Sequence, residues 1–249
     1  MTDSTAGSLL AGPCRTGFMV AFEGLDGAGK STQIARLAAA LRTEGCKVHV
    51  FRLNSNPVFK QQCRLLNQED LINSTQAALM KAAELTGRYE YHIKPLLESG
   101  AVVLWDKYIV GSLAMDAARG VPDSYLRAIQ AGLPTPALTL YLAITPEEAL
   151  RRKNSAGGPR LMESGLDQQL GVPVRRAFEL WKTGAIAPDV IAESFQNFQM
   201  RLSVAYERFL PWPSTVRFDA TEEVDTLSAR ICRAVSTAGC GSRISSSQV

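Results

Sequence analysis

One stretch constrains this chain more than any other. Gly24-Leu25-Asp26-Gly27-Ala28-Gly29-Lys30-Ser31 reads G-x-x-x-x-G-K-S, the spacing of a phosphate-binding P-loop. Polyphosphate is densely anionic, and side chains alone would crowd it. Glycines let backbone N–H groups approach the oxygens closely. Lys30 adds a point charge for the β- and γ-phosphates, Thr32 continues the helix start, and the Ser31 hydroxyl suits Mg²⁺. The flanks fit. Phe18–Glu23 is a short apolar run of strand length, and Ile34, Leu37, Ala38 and Leu41 recur at helical spacing until Gly45. Strand, glycine loop and helix is the order an anion site at a helix N-terminus needs.

The rest of the chain is consistent with one α/β domain built on that unit. At 249 residues, with 46% hydrophobic and 20% charged residues, it can bury a full core. A net charge of +3 does not mark a nucleic-acid binder. No apolar run approaches the about 18 residues of a membrane span. Cys14, Cys46, Cys63, Cys232 and Cys240 are scattered and odd in number, which fits reduced thiols and a cytoplasmic setting. His49 and His92 are too few for a histidine-rich metal site, and no G-x-S-x-G nucleophile elbow is present. Boundaries are expected at 1–16 for a loose leader, 17–237 for the domain and 238–249 for a disordered tail.

In chain order, 46–51 alternates like a strand and runs into Arg52, which is open between an anion contact and a solvated loop arginine. Residues 74–97 are helical and carry Arg88. Residues 101–105 form the third strand, ending at Asp106, where a carboxylate is placed for Mg²⁺ or, alternatively, caps the next helix. Helical pattern covers 108–132, with a break at 120–122, and 137–144 is the fourth strand. Thr145-Pro146 opens a helix that reaches Arg151-Arg152-Lys153, and Gly157-Gly158-Pro159-Arg160 follows. That basic cluster and hinge read as a lid over phosphates, against the blander alternative of a solvated turn. Residues 165–192 are amphipathic and partly helical. A helix through Phe195–Phe209, a strand at 214–218 and a last helix through Val224–Ile231 complete the pattern.

At this point the chain resembles the thymidylate kinase family over residues 17–235. The resemblance rests on the run from Phe22 to Gln33, on Asp106-Lys107-Tyr108 where the family has Asp-Arg-Tyr, and on Pro136–Leu142. It implies a P-loop three-layer α/β/α fold with a five-stranded parallel sheet, ATP with Mg²⁺ as donor, a nucleoside monophosphate acceptor, and a homodimer. On the donor side it carries over Gly24, Gly27, Ala28, Gly29, Lys30, Ser31 and Thr32, with Asp106 as the metal-side acid and Arg151, Arg152 and Arg160 as lid residues. On the acceptor side Asp26 matches the acid that meets the sugar, Arg52 the arginine that meets the acceptor phosphate, and Arg88 the arginine that meets the base.

The departures also cluster on the acceptor side. Leu53-Asn54-Ser55 replaces Glu-Pro-Gly, and Glu84 replaces the base-stacking phenylalanine. Lys107 replaces an arginine and loses its bidentate fork, and Met115-Asp116 replace Tyr-Gln. Residues 165–192 read as an insertion after the lid. The leading expectation is an ATP-dependent nucleoside monophosphate kinase with dTMP as the best single acceptor. Two alternatives stay open: a same-fold kinase for a different small molecule, and a non-catalytic nucleotide-binding protein.

Overall fold

The computed structural model describes residues 17–210 and 214–241, with side chains described to 238. The leader and most of the tail expected from the sequence lie outside the described residues. Five parallel strands form one sheet: β1 Phe18–Glu23, β2 Val48–Arg52, β3 Val102–Asp106, β4 Leu138–Ala143 and β5 Thr215–Asp219, in the order β2-β3-β1-β4-β5. The helices are α1 Lys30–Thr43, α2 Pro57–Gln68, α3 Ser74–Arg88, α4 Lys94–Glu98, α5 Ile109–Ala118, α6 Asp123–Gln130 and α7 Pro146–Ser155. They continue with α8 Leu161–Ser164, α9 Leu166–Leu170, α10 Val174–Lys182, α11 Pro188–Phe209 and α12 Val224–Gly241. None of them is long and apolar enough to cross a membrane, among the described residues.

Successive side chains of a strand point to opposite faces, and the two cores follow from that alternation. Val20, Phe22, Leu104 and Leu140 pack with α1 and α12 on one face. Met19, Ala21, Val103, Trp105 and Tyr141 pack with α3, α5 and α11 on the other. Both faces are covered, so the central strands read as continuous apolar runs. The strands expected at 46–51, 101–105 and 214–218 lie one or two residues later, because Cys46-Lys47 completes the turn after α1 and Asp106 and Asp219 still hold ladder positions.

The 74–97 helix is divided. Asn73 caps α3 with a capping box, and a π-turn at Tyr89–Ile93 separates it from α4. The last helix runs to Gly241, past the boundary read at 237. Residues 165–192 form α9 and α10 before Pro188 opens α11. A third small core of Leu161, Leu166 and Ala177 holds this segment to the body.

Candidate active site

The site lies at the C-terminal ends of the parallel strands, the position ligands take in such sheets. Register assembles it. Phe22 pairs with Asp106 and Arg52 pairs with Asp106, so the P-loop after β1, Asp106 ending β3 and Arg52 ending β2 arrive side by side.

The loop's glycines answer close approaches. A Cβ on Gly24 would sit 2.5 Å from the Leu142 carbonyl oxygen, and one on Gly27 2.8 Å from that of Ala149; both residues have positive φ. No L side chain fits either position without displacing backbone. Gly29, at φ 86°, is the N-cap of α1, whose first-turn residues Ser31 and Thr32 line the cleft. The Lys30 ammonium is buried and donates to the carbonyls of Gly24 at 3.0 Å and Leu25 at 2.7 Å. Burial, followed by repulsion from Lys107, pushes its pKa down to about 8.

The Ser31 hydroxyl donates to Asp106 Oδ2 at 3.1 Å. Arg52 donates through Nε to the same Oδ2 at 2.9 Å and through Nη2 to Ser31 Oγ at 3.2 Å. A hydroxyl and a carboxylate this close are hard oxygen donors on one edge, the donor chemistry Mg²⁺ takes, so the residues fit that ion.

Beside them Lys107 Nζ donates to Asp26 Oδ1 at 2.9 Å. Burial raises the Asp26 pKa, but Lys107 and Lys30 outweigh it and hold the carboxyl well below its ordinary range. Burial works against the Lys107 charge too, yet Asp26 prevails and holds the ammonium above its usual value. Lys107 adopts φ 62°, an uncommon conformation for a residue with a Cβ. Glu23 staples this turn: its Oε1 accepts from the Tyr108 amide at 2.9 Å and its Oε2 from the Tyr206 hydroxyl at 3.2 Å. Burial pushes Glu23 up, against the hydrogen bonds that favour its charged form. Asp26 is fixed from the far side as well, because its amide donates to Gln199 of α11 at 3.2 Å. Glu23 was read only as part of the run into the P-loop, and Gln199 and Tyr206 went unread, because the contacts that join the three are long-range.

The lid arginines separate. Arg152 and Arg160 line the cleft, as does Lys153, which pairs with Glu163 at 2.7 Å. Arg152 donates to Glu148 at 2.8 Å and to the Ala220 carbonyl at 2.9 Å. Arg151, with 69% of its side chain exposed, pairs with Glu148 and is absent from the cleft lining. Alanine at Arg152 or Arg160 is therefore expected to lower kcat more than it raises the KM for ATP, whereas Arg151→Ala leaves both within about twofold. Steady-state kinetics on the three single variants checks this, and equal kinetics in all three would make the cluster solvated surface.

The acceptor-side residues also divide. Arg52, Lys107, Asp26 and Met115 line the cleft; Glu84, Arg88 and Asp116 do not. Arg88 is buried, pairs with Glu84, donates to the Arg52 carbonyl at 2.8 Å and the Ser55 hydroxyl at 3.1 Å, and lies 5.5 Å over the Trp105 ring. Asp116 is 2.7 Å from Lys81 in a second buried pair. The cleft, about 1160 Å³, instead extends between α2 and α10 to Arg64, Asn67, Gln68, Phe178 and Trp181. Those residues were missed because their backbone segments are joined only by the fold.

A family model, Thymidylate kinase, matches residues 22–172, which spans the P-loop, Arg52, Asp106 and the lid. The chain belongs to the thymidylate kinase family. It is a kinase, an ATP-dependent phosphotransferase. Similar proteins include a probable thymidylate kinase 2 of Saccharolobus solfataricus, 29% identical over 184 residues, which is 73% of this kinase and 86% of that protein. A probable thymidylate kinase of Pyrobaculum calidifontis is 36% identical over 137 residues, 53% of this chain and 67% of its own. A thymidylate kinase of Caldanaerobacter subterraneus is 32% identical over 169 residues, 65% and 80%. The family match ends at residue 172, so α10 of this kinase lies beyond it.

Proposed function

We propose that this kinase transfers the ATP γ-phosphoryl group to a nucleoside monophosphate, with dTMP the best single acceptor. One observation supports the reading: Arg52 and the Asp26–Lys107 pair face the same cleft as Lys30 and Ser31, which puts two further cations beside the phosphate loop. An acceptor phosphate oxygen bonds to the γ-phosphorus as the bond to the ADP oxygen breaks. Positioning and charge stabilisation supply most of the catalysis in such transfers. Lys30 and the α1 N-terminus bind the donor phosphates, Arg52 and Lys107 orient the acceptor phosphate, and Asp26 accepts from a sugar hydroxyl. Arg152 or Arg160 covers the transferring group and excludes water. Ser31 and Asp106 would hold Mg²⁺, which when bound neutralises charge on the β- and γ-oxygens.

A second reading, a kinase for an acceptor other than thymidylate, is favoured by the Glu84–Arg88 and Lys81–Asp116 pairs, which tie up Arg88 and Asp116 away from the cleft. The deciding experiment gives the protein ATP, Mg²⁺ and dTMP, dUMP, dCMP, dAMP or dGMP, reading ADP release and product mass. Turnover of any of them supports the transfer, and turnover of none overturns it. A dTMP kcat/KM at least ~10-fold below the best acceptor favours the second reading. A homodimer, supported by the family resemblance, is tested by light scattering. The cytoplasmic setting and the 17–237 domain remain part of this proposal and rest on cysteine usage and periodicity.

A further inference from the structure

The wall beside α3 is closed by charges that neutralise each other, so the cleft's open length lies elsewhere. On its α10 side Phe178 is 47% exposed and Trp181 37%, their ring centroids 6.3 Å apart with planes 32° from parallel. On its α2 side stand Arg64, Asn67 and Gln68. Large aromatic rings facing a cleft rather than a core leave apolar surface for a ligand to cover.

This wall is held in place without one. Ala177 is fully buried against Leu161 and Leu166, and Arg175 reaches Asp70, just after α2, at 3.1 Å. The polar groups opposite are available. Asn67 spends its amide N–H on the Cys63 carbonyl at 2.8 Å, which leaves its oxygen to accept. The side chains of Gln68 and Arg64 have no hydrogen-bond or ion-pair partner among the described residues. An amide offers both donor and acceptor, the two things a heteroaromatic ring edge presents, and Arg64 suits an anion or a ring face.

We infer that α10 carries the acceptor-ring subsite: the planar heteroaromatic ring of a phosphomonoester stacks on Phe178 and Trp181, with its edge toward Asn67 and Gln68. This rests on the proposed kinase reading and names where that acceptor's specificity resides. The stacking surface absent at Glu84 is supplied from the opposite wall, by a helix outside the span of the family match. The side of the cleft also fits. α2 follows the Arg52 loop, whereas Thr32 and Arg152 mark the donor end.

The test has two readouts. In the first, dTMP, dUMP, dCMP, dAMP, dGMP and, as a ring-free control, ribose 5-phosphate are titrated against the protein with Mg²⁺ and a non-hydrolysable ATP analogue while tryptophan emission is followed. At least one ring-bearing monophosphate is expected to quench emission, ribose 5-phosphate is not, and Trp181→Phe loses the quench. In the second, Phe178→Ala and Trp181→Ala raise the KM of the best acceptor at least ~10-fold, the scale of base–aromatic stacking. The KM for ATP stays within twofold, and Trp181→Phe keeps the acceptor KM within about threefold. Circular dichroism melts confirm that the variants fold. Unchanged acceptor KM in both alanine variants, equal quenching by ribose 5-phosphate, or no quenching by any ring-bearing ligand overturns the inference. If nothing in the panel is phosphorylated, the nucleoside monophosphate reading fails by itself, and the Trp181 titration still decides whether the ring binds here.

Discussion

Lys30→Ala is expected to lower kcat by ~10²-fold or more while the protein stays folded, because a fixed cation at the transferring phosphates is the kind of group whose loss costs that much. Lys30 is 6% exposed and is held by the Gly24 and Leu25 carbonyls, so its position is set before ATP arrives. Its removal leaves those two oxygens to water entering the cleft, and the sheet behind them is untouched. Steady-state turnover with the best acceptor and a thermal melt by circular dichroism check the two halves. Near-normal turnover would sink the role given to this lysine, and an unfolded variant would move the case to Lys30→Met.

Asp116→Ala is expected to destabilise the protein by ~3–5 kcal/mol, since it leaves the Lys81 ammonium buried without its partner. Both side chains are nearly inaccessible, at 6% and 4% exposed. For a domain of this size the loss corresponds to a fall in melting temperature on the order of 10 °C. Replacing the pair together, Lys81→Met with Asp116→Leu, removes both desolvation penalties and is expected to recover most of that loss. Thermal melts on the single and double variants measure it. A single variant that melts with the unmodified protein would place water or another group beside Lys81 and discount the buried pair. The same pair explains why Asp116 does not reach the cleft although its sequence position matches a substrate contact.

How much the sequence revealed depended on the range of the signal. The strand-loop-helix around Lys30, the strand ending at Asp106 and the basic turn after Arg151 were legible, because each is written in consecutive residues. The sheet and its strand composition followed from apolar runs, and only the boundaries moved. The direction a polar side chain faces was not legible. Arg52 and Lys107 turn into the cleft, while Arg88 and Asp116 turn into buried pairs whose partners, Glu84 and Lys81, are as ordinary in sequence as any helix surface charge. The amphipathic stretch at 165–192 showed that a helix would form, but where its aromatic residues face emerged only from the packing of Ala177 with Leu161 and Leu166, with Phe178 and Trp181 on the cleft wall.

The backbone at Lys107 sets conformational strain and charge pairing against each other at a single position. A left-handed conformation costs a residue with a Cβ roughly 1–2 kcal/mol that glycine would not spend. Glycine there would relax the turn after β3, but it would leave the largely buried Asp26 carboxylate without its partner, a loss that offsets the relief. It would also remove the ammonium 2.9 Å from Asp26 from the wall of the cleft. Backbone strain alone would therefore favour glycine at position 107, and the charge of Asp26 selects lysine.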